Sequence, residues 1–346
     1  MLGGGIWITQ NKVLPGSYIN FVNTNTGGAL FGERGIVAIA LPLGTENAGK
    51  VITCYANDFI QKPDEILGEN VPENSMKALR EIFKNANAVH IYNNNASADV
   101  GDICAAFEPY DFNVLAAYTS TAEDINTYVS QIKVWRDELG KKCQVVVYNA
   151  TDPDYEGVIN VVSKVSDAGA DAHALVAWVA GVEAGCQVDQ SCTNRKYNGE
   201  YTIVTDKTQA QLESCISNGQ IAFHLVYGEV RLLEDINSLT TITVDKGIDF
   251  KSNQTIRVCD QVANDIAKLF NTKYLGIIPN DKTGRGLLKG DIIKHHRELE
   301  RLRAIEEFDT SLLKVEQGNS KKAVVIHDYI TPVNAMAQLY MTVIVQ

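Results

Sequence analysis

The chain has 346 residues, 45% of them hydrophobic and 21% charged, with a formal net charge of -11 at neutral pH. That length holds one large core or two to three smaller ones. The acidic balance excludes a general binder of nucleic acid or of a bilayer surface, while leaving room for a local basic ridge.

The opening Met1-Leu-Gly-Gly-Gly has neither a positive segment nor a long apolar run, so a secretory signal is not expected. The most apolar run, residues 174–182, is about half of the roughly twenty residues that a membrane helix needs. Residues 1–25 read as an arm: three glycines, a Pro15-Gly16 turn, then Tyr18-Ile19-Asn20-Phe21-Val22 as a short strand. Twenty extended residues reach at most about 66 Å, against a radius of gyration of about 20 Å for a folded chain of this length. The arm can therefore pair within its own subunit or reach a neighbour.

Residues 26–87 read as a small β-rich domain with strands at Ile36–Leu41 and Val51–Tyr55. The glycines between 27 and 35 lack a phosphate-loop pattern and read as a turn. Ser75–Ala86 has Met76, Leu79, Ile82 and Phe83 at helical spacing, and Ala88–Tyr92 follows as a buried strand with His90 as a core histidine.

Residues 88–234 read as open α/β. Strand Asn113–Tyr118 leads to Ser120-Thr-Ala-Glu123, which has capping-box spacing. The helix it opens carries Ile125, Tyr128, Val129, Ile132, Trp135 and Leu139 on one face and stops at Gly140. Cys143–Tyr148 completes a βαβ unit, hence a parallel pair. A strand at Gly157–Val162, helices at Asp171–Gly185 and Thr208–Ser217, and a hairpin over Ile221–Leu233 follow.

Residues 235–336 read as a C-terminal α+β domain. Helix Thr255–Asn271 carries Ile256, Cys259, Val262, Ile266, Leu269 and Phe270 as its apolar stripe. In a second helix, Leu287–Phe308, the residues Leu288, Ile292, His295, Leu299 and Leu302 fall opposite Lys294, Arg297 and Arg301. That basic ridge is either a solvated face paired locally through Glu298 and Glu300 or a charge-complementary docking surface. Strands Leu312–Glu316, Ala323–Tyr329 and the terminal 337–346 form an antiparallel set. In the last, Leu339, Met341, Val343 and Val345 share one face, and Gln338, Tyr340, Thr342 and Ile344 the other. With no hairpin of its own, this strand needs a partner from elsewhere, which another copy of the chain can supply.

Chemistry is not legible. The sequence has no H-E-x-x-H, G-x-S-x-G, Walker A, dinucleotide or C-x-x-C pattern. His295 and His296 are adjacent on a helix, about 100° apart, which is wrong for joint metal ligation. Asp152-Pro-Asp154 reads as an acidic turn, and Asp281, Lys282 and Gly284-Arg285-Gly286 as a polar glycine loop. The seven cysteines, at 54, 104, 143, 186, 192, 215 and 259, are odd in number and scattered, so reduced buried thiols are expected. Neither a disulfide nor a metal is expected at Cys186 and Cys192.

Several stretches together resemble the tail sheath proteins of contractile phages, in particular the compact sheaths of defective prophages and phage-tail-like bacteriocins. They are Gly3-Gly-Gly-x-Trp7 with Gln10-Asn-Lys and Pro15-Gly-x-Tyr18, Ala177-Trp178-Val-Ala-Gly181 with Ser191-x-Thr193, Asp235-Ile-Asn-Ser-Leu239, Asn280-x-x-x-Gly284-Arg285, and Pro332-Val-x-Ala-Met336 with Tyr340-Met-Thr-Val343. The resemblance implies a structural polymer with no catalysis and no cofactor. Its middle domain is subtilisin-like without the triad, and hexameric rings stack around a tail tube, with baseplate and terminator proteins as further partners. It also implies strand exchange through residues 18–22 and through Leu339, Tyr340, Met341, Thr342, Val343, Ile344 and Val345, and a helix bearing Lys294, Arg297 and Arg301 that faces the tube. Assembly in a bacterial cytoplasm, as part of a virion tail or released bacteriocin, follows from the same resemblance. A secretion-type contractile machine or an α/β hydrolase or nucleotide-binding enzyme are the alternatives.

Overall fold

The computed structural model describes residues 34–345. The expected arm and its strand Tyr18–Val22 lie outside them. Apolar runs punctuated by turns give β1 (Ile36–Leu41), β2 (Val51–Tyr55), β3 (Ala88–Asn93), β4 (Val114–Ala116), β5 (Gln144–Tyr148), β6 (Val158–Val161) and β7 (Gln220–Ile221). They form one sheet in the order β2-β3-β1-β4-β5-β6-β7, parallel throughout except that β2 runs antiparallel to β3. A parallel sheet is covered on both faces, which is why β4, β5 and β6 are nearly continuous apolar runs.

The separate β-rich domain expected over 26–87 does not form among the described residues. Its strand β1 lies at the centre of the main sheet, pairing Ile36 with Ala88 on one side and Val37 with Val114 on the other. Alternation within β1 feeds two cores. Val37, Ile39 and Leu41 join a cluster on the face covered by α3 (Glu73–Phe83) and α6 (Leu175–Gly185), and Ala38 joins the one beneath α4 (Val100–Phe107) and α5 (Ala122–Lys133). Two short helices, α1 (Ala56–Gln61) and α2 (Pro63–Leu67), connect β2 to α3.

Helix α6 is buried from Leu175 to Ala184, and its glycines let it approach α3 closely. A Cβ on Gly181 would stand 2.5 Å from the Ile82 carbonyl oxygen, and one on Gly185 would strike the Asn85 carbonyl. Gly181→Ala is therefore expected to lower stability by about 1–3 kcal/mol, read as a lower thermal midpoint. Gly290→Ala, whose Cβ would meet nothing within 4 Å, is expected to leave the midpoint unchanged or raise it.

Local signals held unevenly. Helix α5 starts at Thr121 without a side-chain cap, so the expected box at Ser120–Glu123 does not close. Instead the Thr119 hydroxyl accepts from the Thr121 N–H and donates to Asp124. A capping box does form two helices later, at α7 (Gln209–Ser217), between Thr208 and Gln211. Leu139, expected on the buried face, is 56% exposed, because a π-helical turn over Val134–Glu138 shifts its bearing. Gly140, at φ 71°, ends the helix as expected.

Past the hairpin β8 (Phe223–Val226) and β9 (Glu229–Leu232) comes a C-terminal unit of α8 (Asn253–Leu269), α9 (Lys282–Arg301) and a second hairpin, β10 (Lys314–Gln317) with β11 (Val324–His327). Its core gathers Val258, Tyr274, Leu288, Ile292, Leu299, Phe308 and Leu313. Asp281 caps α9 by accepting from the Gly284 N–H at 2.7 Å, so Gly284-Arg285-Gly286, read as a loop, is the helix's first turn. The helix ends at Arg301 rather than Phe308. The antiparallel set has two strands among the described residues, because 337–345 pair with nothing described.

Candidate assembly surfaces and the joint behind them

The residues expected to form an exchange strand stand clear of the fold. Leu339 is 86% exposed and Val345 90%, and Tyr340, Met341, Val343 and Ile344 are likewise open. Among the described residues nothing pairs with these seven, which leaves apolar faces and backbone polar groups open. The segment departs from Pro332 and Asn334, which are tied down: Val333 N–H bonds the Ala304 carbonyl, the Asn334 amide meets Ser252 and Thr255, and the Ala335 N–H bonds Gln254.

On α9 the structure buries Leu288, Ile292, His295 and Leu299 and leaves Lys294, Arg297 and Arg301 exposed, as the helical spacing requires. Each cation has an acid one turn away. Lys294 lies 3.6 Å from Asp291, Arg297 bonds Glu300 at 2.6 Å, and Arg301 Nε bonds Glu298 at 2.8 Å. The Arg301 bond draws Glu298 below the usual carboxylate range. Nearer its start, α9 forms with β10 a groove of about 410 Å³ lined by Lys282, Arg285, Lys289, Val315, Glu316 and Gln317.

Behind these surfaces lies a polar joint that hydropathy does not predict. The stripe of α8 faces the C-terminal core, with Val262, Ile266, Leu269 and Phe270 packed on it. The opposite face is buried too, through Asn253, Gln254, Arg257, Asp260, Gln261 and Asp265, against the sheet body. Arg136 makes a two-pronged bond to Asp260 at 2.5 and 2.8 Å. Arg257 bonds Glu183 of α6 at 2.7 Å, Asp235 at 3.3 Å and the Gln190 carbonyl at 2.8 Å. Burial alone would lower the Arg257 guanidinium, but the charge of Asp235 and its neighbours outweighs it and holds the group well above its ordinary value. Burial, then the charge of Asp235, pushes the Glu183 carboxyl well above its ordinary value, whereas for Asp235 burial is outweighed by Arg257, which holds it below its own.

The same group answers the question of a metal. Glu183, Cys192 and Asp235 place ligand atoms within 4.8 Å of one another, yet the cation between them is Arg257. Among the described residues all seven cysteines are free, Cys259 being half-buried and the others buried. Asp154 accepts from the Thr240 and Thr241 N–H groups at 2.7 and 2.9 Å, and although burial opposes it these bonds hold its carboxyl far below the usual range. Asp152-Pro-Asp154 is thus an acidic turn that organises the 240 loop. His90, between Thr53 and the Asp111 carbonyl, is a satisfied structural histidine.

Comparison with known proteins bears on the whole chain. Residues 93–238 match the model of the phage tail sheath protein central domain, and residues 245–346 that of the phage tail sheath C-terminal domain. The phage-like element PBSX protein XkdK of Bacillus subtilis (strain 168) is 29% identical over 260 residues, which is 71% of this chain and 56% of the relative. The chain thus spans little more than half the length of the curated relatives it matches first. The crystal structure of the sheath tail protein from Desulfitobacterium hafniense superposes with a TM-score of 0.78 at 27% identity, over 93% of this chain and 98% of that one. The helical sheath of the anti-feeding prophage in its contracted state shares the fold, with a TM-score of 0.72 at 15% identity over 96% of this chain and 99% of that one.

Proposed function

Since the chain belongs to the phage tail sheath family, both the central and the C-terminal domain models being matched, we propose that it polymerises as stacked hexameric rings around a tail tube and contracts to drive the tube through a cell envelope. The family is structural rather than enzymatic. Residues 339–345, exposed and paired with nothing among the described residues, carry this reading. Added to the sheet of a neighbouring copy, they would make several backbone hydrogen bonds worth roughly 0.5–1.5 kcal/mol each and bury alternate side chains. Tyr18, Ile19, Asn20, Phe21 and Val22 are proposed as the second exchanged strand.

Contraction is then a rigid-body rearrangement in which strand links persist while subunit faces slide. An extended sheath is a kinetically trapped polymer that needs no nucleotide. The joint at α8 suits this motion, because it fastens the sheet body to the C-terminal unit through buried ion pairs that cannot slip separately. The sheet body, expected over residues 88–234 and extended by β1 and β2 to include 36–55, is read as subtilisin-like without a triad, and 235–336 as the sheath's C-terminal domain. Baseplate and terminator proteins are the further partners proposed, with assembly in the bacterial cytoplasm. No helix among the described residues is long and apolar enough to cross a membrane.

Lys294, Arg297 and Arg301 are proposed to face the tube. Changing all three to Glu is expected to leave self-assembly intact and to weaken co-sedimentation with the tube by on the order of tenfold at low salt, the difference shrinking as salt screens it. Equal tube binding by the variant and the parent chain would return the ridge to a solvated face paired with Asp291, Glu298 and Glu300. The assembly itself is tested by electron microscopy of the purified chain.

A further inference from the structure

Cys186 and Cys192 have five residues between them, a spacing that by itself gives no cue that they meet. The fold brings them together. Cys186 caps the end of α6, where its N–H donates to the Val182 carbonyl at 2.9 Å, and Cys192 Sγ lies 3.7 Å from that same carbonyl oxygen. The turn between them closes through the Gln190 N–H and the Gln187 carbonyl at 3.1 Å, and the two sulfurs come within hydrogen-bonding reach of each other. Both thiols are free. Cys192 is sealed, while Cys186 is 7% exposed and is followed by the open Gln187.

Two guanidinium groups adjoin the pair. Arg257 Nη2 lies 3.7 Å from Cys192 Sγ, and Arg34 Nε donates to the Cys186 carbonyl at 3.1 Å. Hydrogen bonding from Cys192, helped by the charges of Arg257 and Arg34, outweighs burial and draws the Cys186 thiol down to about 7. The same bond, with burial, pushes Cys192 well up. Elsewhere burial pushes Cys54 and Cys259 up to about 11 and Cys104 and Cys143 up to about 12. A nucleophilic sulfur thus stands against a thiol that can resolve it, which is the arrangement of an oxidisable pair.

We propose that Cys186 and Cys192 form a redox couple that hydrogen peroxide oxidises to a disulfide, stapling residues 186–192 against the joint at α8. These residues already belong to the joint, since the Gln190 carbonyl accepts from Arg257 at 2.8 Å and the Cys192 N–H donates to Asp235 at 2.8 Å. The Cys186 thiolate attacks one peroxide oxygen, the O–O bond breaks, and the other oxygen leaves as hydroxide and takes up the proton that Cys186 gave to solvent. Cys186 is then a sulfenic acid. The Cys192 sulfur attacks the sulfenic sulfur, the S–O bond breaks, and the departing hydroxide becomes water with the Cys192 proton. Two thiols lose two electrons and two protons, and the peroxide becomes two waters. The sulfurs close from hydrogen-bond contact to the about 2.05 Å of a disulfide. The couple is a property of the subunit and stands whether or not the chain polymerises.

The test treats the full chain with a slight excess of hydrogen peroxide at neutral pH and counts free thiols after denaturation. Two of the seven thiols are expected to disappear, to return on adding dithiothreitol, and to map as one linked pair of peptides holding Cys186 and Cys192. Cys192→Ser is expected to stop Cys186 at the sulfenic acid, which a 1,3-diketone captures, and Cys186→Ser to keep every remaining thiol. The oxidised chain is expected to melt at a higher temperature than the reduced one, because the closed loop restricts the unfolded chain. Survival of all seven thiols, oxidation that spares this pair, or a lower midpoint in the oxidised chain would overturn the proposal. The unaltered chain decides the matter even where a variant does not fold.

Discussion

Removing Leu339–Gln346 is expected to leave a folded, soluble subunit that forms no tubes. The basis is that Leu339–Val345 contribute nothing to the three cores of the subunit. Their loss costs the monomer little, while each interface they would build loses its backbone ladder and the apolar side chains on one face. At several hydrogen bonds of roughly 0.5–1.5 kcal/mol plus burial of three or four side chains, the effect on polymerisation is all-or-none at working concentrations. Sedimentation reads it directly, as a single slow species with an unchanged thermal midpoint. Normal tubes from the truncated chain would sink the exchange-strand account.

The second large effect is expected inside the subunit. Arg257→Met leaves Asp235 charged and Glu183 beside it at full burial with no cation, a loss on the order of 3–5 kcal/mol that chemical denaturation would register. Changing the group together, with Arg257→Met, Glu183→Leu and Asp235→Asn, is expected to recover much of it, because no unpaired charge remains while the Cys192 N–H keeps an acceptor. A single change that proves neutral would mean that the joint is not held by charge. If the joint also transmits motion, the triple variant assembles but contracts less completely, since apolar contacts can slide where directed, buried ion pairs cannot.

How much of this was written in the chain differs by level. The strands β3 to β6 and the crossover helix α5 were legible, because parallel strands are continuous apolar runs and α5 has ordinary helical spacing, whereas α4 and the parallel strand β7 were not. Nor was the placement of β1. Its composition fits any buried strand, and only the crossover that slots it between β3 and β4 shows that residues 36–41 belong to the main sheet rather than to a domain of their own. The cap at Thr208 and the false one at Ser120 differ by which hydroxyl the chain's entry angle presents, which spacing alone does not fix.

The surfaces were more readable than the joint. The alternation at 339–345 and the opposition of Lys294 to Leu288 follow from periods of 2 and 3.6. The burial of the polar face of α8 is not readable from spacing, because its partners are far away in sequence: Arg136 lies 124 residues from Asp260, and Glu183 lies 74 from Arg257. A run of Asn, Gln, Thr, Arg, Asp, Gln and Asp on one helix says nothing about whether water or protein satisfies it. The pair His295 and His296 was legible as a poor metal site, but the carboxylates that face it, Asp265 and Asp328, come from α8 and from the end of β11, where the sequence gives no cue.

The central claim is that this chain is the subunit of a self-assembling sheath, and negative-stain electron microscopy of the full-length protein at high concentration, alone and co-expressed with its tube protein, tests it most directly. The account predicts striated hollow cylinders with sixfold end views. Dispersed single subunits under both conditions would contradict it.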